Sequence, residues 1–394
     1  MLYSRKLLAP LLEQIERPEI VILTGMRRVG KTTLLQMVYD HISSQNKLFL
    51  DFENPLDQSI FAEKDFKNIP ANLSEMGLSH SEKAFVFIDE IQNRPQTVQA
   101  IKFLHDHYPI KFFLTGSSSF YLKNLFPESL AGRKFNFELF PLDFEEFMTF
   151  KGKTYSVPKT FSEKTAQATE LRYERYKKLV VEFLTYGGFP QVVLEDKVEY
   201  KKRILSDIFT SYFEKEVYRL ADFKKKDHFK SLLLLLMERC GSKLDISKLS
   251  SLVGVSRDTV YNYLHFLQGS YFVSLISPFS GNRDRQISGA RKVYFCDNGL
   301  LTVFSRVSHG QMLENAVYNV LHKTEEPYYY QTRAGLEIDF IHAGQNIAFE
   351  VKRTATAQDY TKLKRLAQKL NIKSGYIIGQ NFTPIDGLIL FQDL

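Results

Sequence analysis

Cysteine is nearly absent from the 394 residues, with only Cys240 and Cys296 present, and no His or Cys cluster accompanies either. This excludes a disulfide framework and a zinc site as organising elements. Long hydrophobic runs are also missing. Residues 1–12 hold a short apolar run after Arg5 and Lys6, followed by the charged Glu13, Glu16 and Arg17, which reads as neither a signal peptide nor a membrane span. Together these lacks set the expectation of a cytoplasmic chain with no membrane partner. The 44% hydrophobic and 25% charged composition is that of an ordinary globular protein, and the length exceeds what one core usually covers. A net charge of +7 and a pI near 9.0 suit a polyanionic partner, although charge alone identifies none.

What is present begins with Gly25-Met26-Arg27-Arg28-Val29-Gly30-Lys31-Thr32-Thr33, the spacing of a Walker A loop. It follows the apolar run 20–23, a predicted strand, and leads into a predicted helix over 33–39. A phosphate chain lies against backbone N–H groups at a helix N-terminus. The glycines allow its close approach, and the helix dipole favours the anion. Lys31 is then expected to reach the outer phosphates, and Thr32 to hold Mg²⁺. Residues 47–52 predict a second strand and 84–88 a third, which runs directly into Asp89-Glu90. The unbroken apolar run suits a parallel sheet covered on both faces, and ligands bind at the carboxyl ends of such sheets. Asp89 is therefore expected on Mg²⁺, with Glu90 polarising a water in line with the terminal phosphate.

The next predicted strand, 111–114, ends in Thr115-Gly116-Ser117-Ser118. Its hydroxyls either sense the outer phosphate or serve turn chemistry. Arg133 reads either as an arginine finger toward a neighbouring subunit of a homo-oligomer or as a structurally paired surface residue.

A family resemblance becomes specific at this point. It rests on the Met-Arg-Arg-Val-Gly-Lys-Thr-Thr loop, Ile88-Asp89-Glu90-Ile91-Gln92, Leu114-Thr115-Gly116-Ser117-Ser118, Leu130-Ala131-Gly132-Arg133 and Phe140-Pro141-Leu142-Asp143-Phe144. It continues through Tyr186-Gly187-Gly188-Phe189-Pro190 and through Lys292-Val293-Tyr294-Phe295-Cys296-Asp297-Asn298-Gly299-Leu300. The chain resembles the large prokaryotic group of AAA-type ATPases that carry a C-terminal domain of unknown function. The resemblance implies an ATPase with a DNA-binding middle and a nuclease-like end.

Residues 151–170 are polar and predict a flexible connection or surface insertion. Helices are predicted over 171–186 and 201–220, the latter ending before Lys224-Lys225-Lys226, a solvated basic run. Further helices are predicted over 229–240, over 245–253 with Asp245 as its N-cap, and over 258–268 with Ser256 as its cap. This is a helix-turn-helix layout. Residues 271–276 and 291–295, joined by the polar loop 280–289, predict a β-wing. In a DNA-reading version Arg257, Thr259, Tyr261 and Asn262 face the groove while Arg283, Arg285 and Arg291 approach phosphates. A protein-contact module has the same layout, and Asp258 and Asp284 temper the positive field.

A helix carrying Glu314 over 310–321 precedes predicted strands over 328–331, 336–342 and 346–352, with a hairpin turn near Gly344-Gln345. Symmetric pairing about that turn sets Asp339 opposite Glu350 and Glu337 opposite Lys352, all on one face. Carboxylates at roughly 5 Å repel unless a positive charge lies between them, and Mg²⁺ is the natural candidate. Asp339, Glu350-Val351-Lys352 and Glu314 resemble the active site of PD-(D/E)xK nucleases. That resemblance implies carboxylates on metal and Lys352 orienting or activating water, with Gln331 near Glu314. The bland alternative is a Glu337–Lys352 surface salt bridge. A helix over 358–370 and a strand over 375–378 complete that fold.

The expected architecture is α/β. It comprises a P-loop sheet domain over 1–150, a linker and helical segment over 151–226, a winged helix-turn-helix over 227–308 and a restriction-endonuclease-like domain over 309–394. ATP and Mg²⁺ are the expected ligands and DNA the expected partner. One rival is a nucleotide-controlled regulator whose nuclease-like fold only binds. A second is a small-molecule kinase, which the Asp89-Glu90 pair and the lack of an acceptor-binding insertion disfavour.

Overall fold

The computed structural model describes residues 3–117, 132–217, 226–332 and 334–394. Ser118, Leu130, Ala131, Lys224 and Lys225 of the sequence reading lie outside them. The chain divides into two compact units. One comprises Met1–Phe140 with Gly269–Tyr271, and the other Pro141–Gln268 with Phe272–Leu394. No helix among the described residues is long and apolar enough to cross a membrane.

The first unit is built on five parallel strands: β1 (Ile20–Thr24), β2 (Lys47–Asp51), β3 (Ala84–Asp89), β4 (Ile110–Gly116) and β5 (Lys134–Glu138), in the order β2-β3-β4-β1-β5. Every residue of β1, β3 and β4 is buried. A parallel sheet sheathed on both faces explains why these strands read as near-continuous apolar runs. Helices Lys31–His41 and Thr97–His107 follow β1 and β3. The order places the carboxyl ends of β3, β4 and β1 side by side, so the loop after β1 meets Asp89 and Thr115. Strand β5 has the alternating sequence Lys-Phe-Asn-Phe-Glu and half-buried residues. It pairs with β1 as an edge strand that the search for unbroken apolar runs passes over.

The second unit starts near residue 141, about ten residues before the expected boundary at 150. Helix Phe144–Phe150 opens with a capping box between Asp143 and Glu146. It packs Phe144 and Phe147 on Phe183 of helix Glu170–Tyr186, with ring centroids 5.6 and 5.3 Å apart. Residues 151–170 are not a free connection. Thr160 and Glu163 cap a short helix, Phe161–Ala166, and the Tyr155 hydroxyl donates to Asp393 Oδ1 at 2.6 Å and to the Gln392 carbonyl at 2.9 Å. Arg172 Nε donates to Asp393 Oδ2 at 2.7 Å. Burial together with the adjacent Asp393 charge pushes the Tyr155 hydroxyl well above its usual range.

Helices Lys226–Met237, Ile246–Val253 and Arg257–Gly269 precede an antiparallel hairpin of β6 (Val273–Ile276) and β7 (Lys292–Phe295). Asp245 and Ser256 accept the N-terminal amides of their helices, from Lys248 and Thr259, as predicted. The hairpin connection contains a short helix, Arg283–Ser288, where a polar loop was expected.

Helix His309–Leu321 leads into a second sheet made of β8 (Tyr328–Gln331), β9 (Glu337–His342), β10 (Ile347–Lys352), β11 (Ser374–Gly379) and β12 (Leu388–Leu390). Its order is β12-β11-β10-β9-β8. Strands β9 and β10 form the predicted hairpin, and helix Ala357–Lys369 joins β10 to its parallel neighbour β11. Tyr294 of β7 stacks on Tyr318 at 4.6 Å. Asn315 accepts from Phe295 N at 2.7 Å and donates to Asn298 Oδ1 at 2.8 Å. Strand β7 and helix His309–Leu321 therefore share one interior across the expected boundary at 308/309.

Candidate functional sites

The loop between β1 and helix Lys31–His41 has the backbone of an anion cradle. Arg28 (φ 67°) and Gly30 (φ 97°) are left-handed, a turn that points successive N–H groups inward. Gly30 caps the helix with no side-chain hydrogen bond, the kind of helix start at which anions bind. Gly25 (φ 150°) passes so close to the Leu139 carbonyl that a Cβ would run into it. Val29 is buried, and its carbonyl accepts from Arg5 Nη1 at 2.8 Å. Arg5 Nη2 also holds the Phe140 carbonyl, at 2.7 Å. Sequence reasoning missed Arg5, whose link to the loop has no local signal.

Lys31 is 5% exposed, and its ammonium is folded back to donate to the Gly25 carbonyl at 2.9 Å and the Met26 carbonyl at 3.0 Å. Thr32 Oγ1 donates to Asp89 Oδ2 at 2.6 Å, so the hydroxyl and carboxylate expected to share Mg²⁺ do meet. Thr33 is exposed on the first helical turn. Thr115 has no exposed surface. Its hydroxyl donates to Asp89 Oδ1 and accepts from Glu90 N at 3.0 Å. Its hydroxyl thus touches both members of the acidic pair. Burial pushes the Asp89 carboxyl up, against hydrogen bonds from Thr115 and Thr32 that lower it.

Glu90 adopts φ 55°. Its carboxylate accepts from Gln92 Nε2, which also donates to Ser117 Oγ at 2.8 Å. Arg27, from the loop itself, lies 3.8 Å from Glu90 and 3.7 Å from Glu53. Gln92 and Glu53 were missed as site residues, although Gln92 stands two positions after Glu90 in a quoted motif. Arg133 is elsewhere. Its carbonyl accepts from Ile20 N at 2.8 Å, at the amino end of β1, and its side chain pairs with Asp106 at 2.9 Å. It therefore lies at the sheet edge opposite the cradle. Hydroxyl and carboxylate oxygens at Thr32 and Asp89, beside an uncapped helix start, fit a magnesium-bound nucleotide.

In the second unit, Arg257, Tyr261, Asn262, Arg283 and Arg291 are all exposed and Thr259 is half-buried. Tyr261, Asn262 and Gln268 of the third helix line a groove of about 980 Å³ with Lys243, Ile287 and Arg291 from the hairpin side.

The acidic positions of the C-terminal sheet follow the predicted register in part. The β9–β10 pairing runs through Phe349 opposite Phe340, which brings Asp339 next to Glu350. There Val351 N donates to the Asp339 side chain at 2.7 Å, so the carboxylate captures a strand amide. Lys352 bonds Glu350 at 2.6 Å rather than Glu337, so the bland alternative of a Glu337–Lys352 surface bridge is not what forms. Glu314 does not join Asp339 and Glu350 as a third ligand. Its Oε1 accepts from Lys292 Nζ at 3.1 Å and from the Tyr294 hydroxyl at 2.7 Å, while Lys292 also pairs with Glu337 and Gln331 donates to Glu337 at 3.0 Å. Among the described residues, no group of three or more acidic, His or Cys side chains converges to hold a metal. Two ammoniums pair with these carboxylates instead, Lys292 with Glu314 and Glu337 and Lys352 with Glu350, and Lys292 is a partner the hairpin arithmetic left out. Burial raises the Glu314 and Glu350 carboxyls to about 7.

The two remaining quoted motifs serve structure. Asp297 accepts from Gly188 N at 2.6 Å and Gly299 N at 2.8 Å, and a Cβ on Gly187 would collide with that carboxylate.

Comparison with known proteins agrees with the first unit. Residues 17–148 match an AAA domain model, and 177–311 and 309–386 match two domains of unknown function, DUF8612 and DUF4143. The chain is 28% identical to an uncharacterized protein of Methanocaldococcus jannaschii, over 90% of this chain and 80% of that one. It is 27% identical to an uncharacterized protein of Haemophilus influenzae, over 94% and 92%. Among solved structures, the Aeropyrum pernix ORC1 protein in complex with DNA covers 77% of this chain and 91% of its own, at 15% identity and a TM-score of 0.33. Pyrobaculum aerophilum Cdc6p covers 78% and 92%, at 12% identity and a TM-score of 0.29. The first unit has the parallel sheet typical of P-loop NTPases, and residues 17–148 within it are similar to an AAA domain.

Proposed function

We propose that this AAA-type domain binds and hydrolyses ATP with Mg²⁺, and that turnover is coupled to DNA held by the second unit. The observation that carries the reading is the meeting of Thr32 and Asp89 at 2.6 Å beside the left-handed, uncapped start of helix Lys31–His41. Backbone amides of residues 25–32 would cradle the phosphates, with Lys31 swinging from the Gly25 and Met26 carbonyls to their outer oxygens. Thr32 and Asp89 would hold Mg²⁺, which supplies charge neutralisation between those oxygens. Glu90, released from Gln92 and Arg27, would take the proton of the attacking water. Arg133 lies away from its own cradle and would act only in a neighbouring copy. Lys31→Ala is expected to abolish ATP binding or turnover in a phosphate-release assay, and wild-type turnover would refute the assignment.

On the second unit, a winged helix contacting DNA through Arg257, Tyr261, Asn262, Arg283 and Arg291 suits the basic charge. Asp339, Glu350 and Lys352 suit a PD-(D/E)xK-like phosphodiester site in which the two carboxylates hold the cation and Lys352 orients water. The second reading, that this site binds without cutting, is favoured by the Lys292 ammonium bonded to Glu314 and Glu337. DNA incubated with Mg²⁺ or Mn²⁺ separates the two readings. Scission lost in Asp339→Ala supports a nuclease, and intact DNA with retained binding supports the regulator.

A further inference from the structure

Arg5 reaches the phosphate loop from outside it. The residue stands just before helix Leu8–Leu12, whose first amide, Leu8 N, donates to the Arg5 carbonyl at 3.0 Å. Leu11 of that helix is buried, so a packed turn holds the arginine's backbone. The side chain turns inward, leaving Arg5 7% exposed. Its Nη1 donates to the Val29 carbonyl at 2.8 Å and its Nη2 to the Phe140 carbonyl at 2.7 Å. A buried guanidinium is costly without such partners, and its two nitrogens hold both carbonyls from one rigid plane.

Both carbonyls lie where the shape of the loop is set. The Val29–Gly30 peptide is trans, so fixing the Val29 oxygen toward Arg5 aims the Gly30 N–H the opposite way. Gly30 is the left-handed N-cap of helix Lys31–His41, and its N–H therefore joins the amides that open at that helix start. Phe140 follows Leu139, whose N–H donates to the Thr24 carbonyl at 2.7 Å and whose carbonyl leaves no room for a Cβ on Gly25. The two ends of the loop thus rest on consecutive residues, Gly25 directly on Leu139 and Val29 through Arg5 on Phe140.

We propose that Arg5 is a positioning residue for the nucleotide, bracing the Val29–Gly30 peptide so that the loop's amides are aimed before the phosphates arrive. The inference rests on the ATP reading of the loop. A preorganised donor set loses less freedom on binding, so removing the brace weakens affinity for the phosphate chain of ATP and ADP alike. Hydrolysis suffers less, because Arg5 bonds main-chain carbonyls of the cradle, whereas Glu90 and the Thr32–Asp89 pair have side-chain partners of their own.

The test measures ADP and ATP affinity by titration calorimetry and turnover by phosphate release, on the full chain as wild type, Arg5→Lys, Arg5→Ala and Lys31→Ala. Arg5→Ala is expected to raise Kd for both nucleotides about 10- to 100-fold, the range of a charge-assisted hydrogen bond, and Kd should rise by a larger factor than kcat falls. Arg5→Lys, with one nitrogen in place of two, should lie between that variant and wild type. Millimolar guanidinium should restore affinity to Arg5→Ala and not to Lys31→Ala. A folded Arg5→Ala with wild-type affinity overturns the role of Arg5 and leaves the ATP reading intact. Affinity and turnover lost equally, or no guanidinium rescue of a folded Arg5→Ala, assigns Arg5 to general stability and also overturns it. If Arg5→Ala does not fold, Arg5→Lys is judged by the same comparison of Kd with kcat, and failure of both to fold overturns the role as well. A wild type that binds neither nucleotide overturns the ATP reading, and this inference with it.

Discussion

Glu90 is held by two groups that an attacking water would have to displace under the proposed mechanism. The amide of Gln92 and the guanidinium of Arg27 both face its carboxylate, and Arg27 belongs to the phosphate loop. In the proposed mechanism, arrival of the nucleotide's negative charge would give Arg27 a competing partner and so free the glutamate as the loop fills. Glu90→Gln should keep ATP affinity, measured by titration calorimetry, while turnover falls about 10²- to 10⁴-fold, the usual contribution of a general base. Equal losses in binding and turnover would assign Glu90 to the cradle instead. Lys31 faces a similar exchange, from the carbonyls of Gly25 and Met26 to phosphoryl oxygens. These alternate partners are invisible in sequence, because a motif states which residues meet the ligand and not what occupies them beforehand.

At the scale of elements, strands and caps were the most legible features. Unbroken apolar runs announced β1, β3 and β4, and the Asp245 and Ser256 caps followed from short polar side chains placed ahead of apolar periodicity. The β9–β10 register came from counting outward from a turn, and it held as far as Phe349 and Phe340. Beyond that point the carboxylate of Asp339 captured the Val351 amide. Period-2 arithmetic fails where a side chain replaces a ladder partner. Lys292 lies outside any hairpin count because it arrives from another pair of strands. For the third helix and its hairpin, exposure of Arg257, Asn262 and Arg291 leads to a salt test. Duplex binding should weaken steeply with salt, and Arg291→Ala should reduce the slope of log affinity against log salt by about 1, the loss of one phosphate contact. Salt-insensitive binding, or none, would point to a protein partner for this face.

At the scale of the whole molecule, side chains meet across the expected boundary at 308/309, where the two matches to domains of unknown function also adjoin. Asn315 bonds Phe295 and Asn298, Tyr318 stacks on Tyr294, and Glu314 receives Lys292. A chain ending at residue 308 would expose those buried polar and aromatic groups of 227–308 without partners. Its second unit should lose cooperative thermal unfolding by circular dichroism, while the first unit is retained. A truncated form with a sharp, native-like transition in 141–308 would restore the separate-domain picture. Sequence patterning did not expose this shared interior, because contacts such as Phe295–Asn315, 20 positions apart, and Lys292–Glu314, 22 apart, join different elements and leave no periodic trace. The Arg172–Asp393 bond spans 221 residues, and Tyr155 depends on the same carboxylate. During translation, helix Glu170–Tyr186 emerges from the ribosome long before its anchor does. Vectorial synthesis therefore leaves that surface bare until the final strand is made, a wait during which a chaperone would have most to bind.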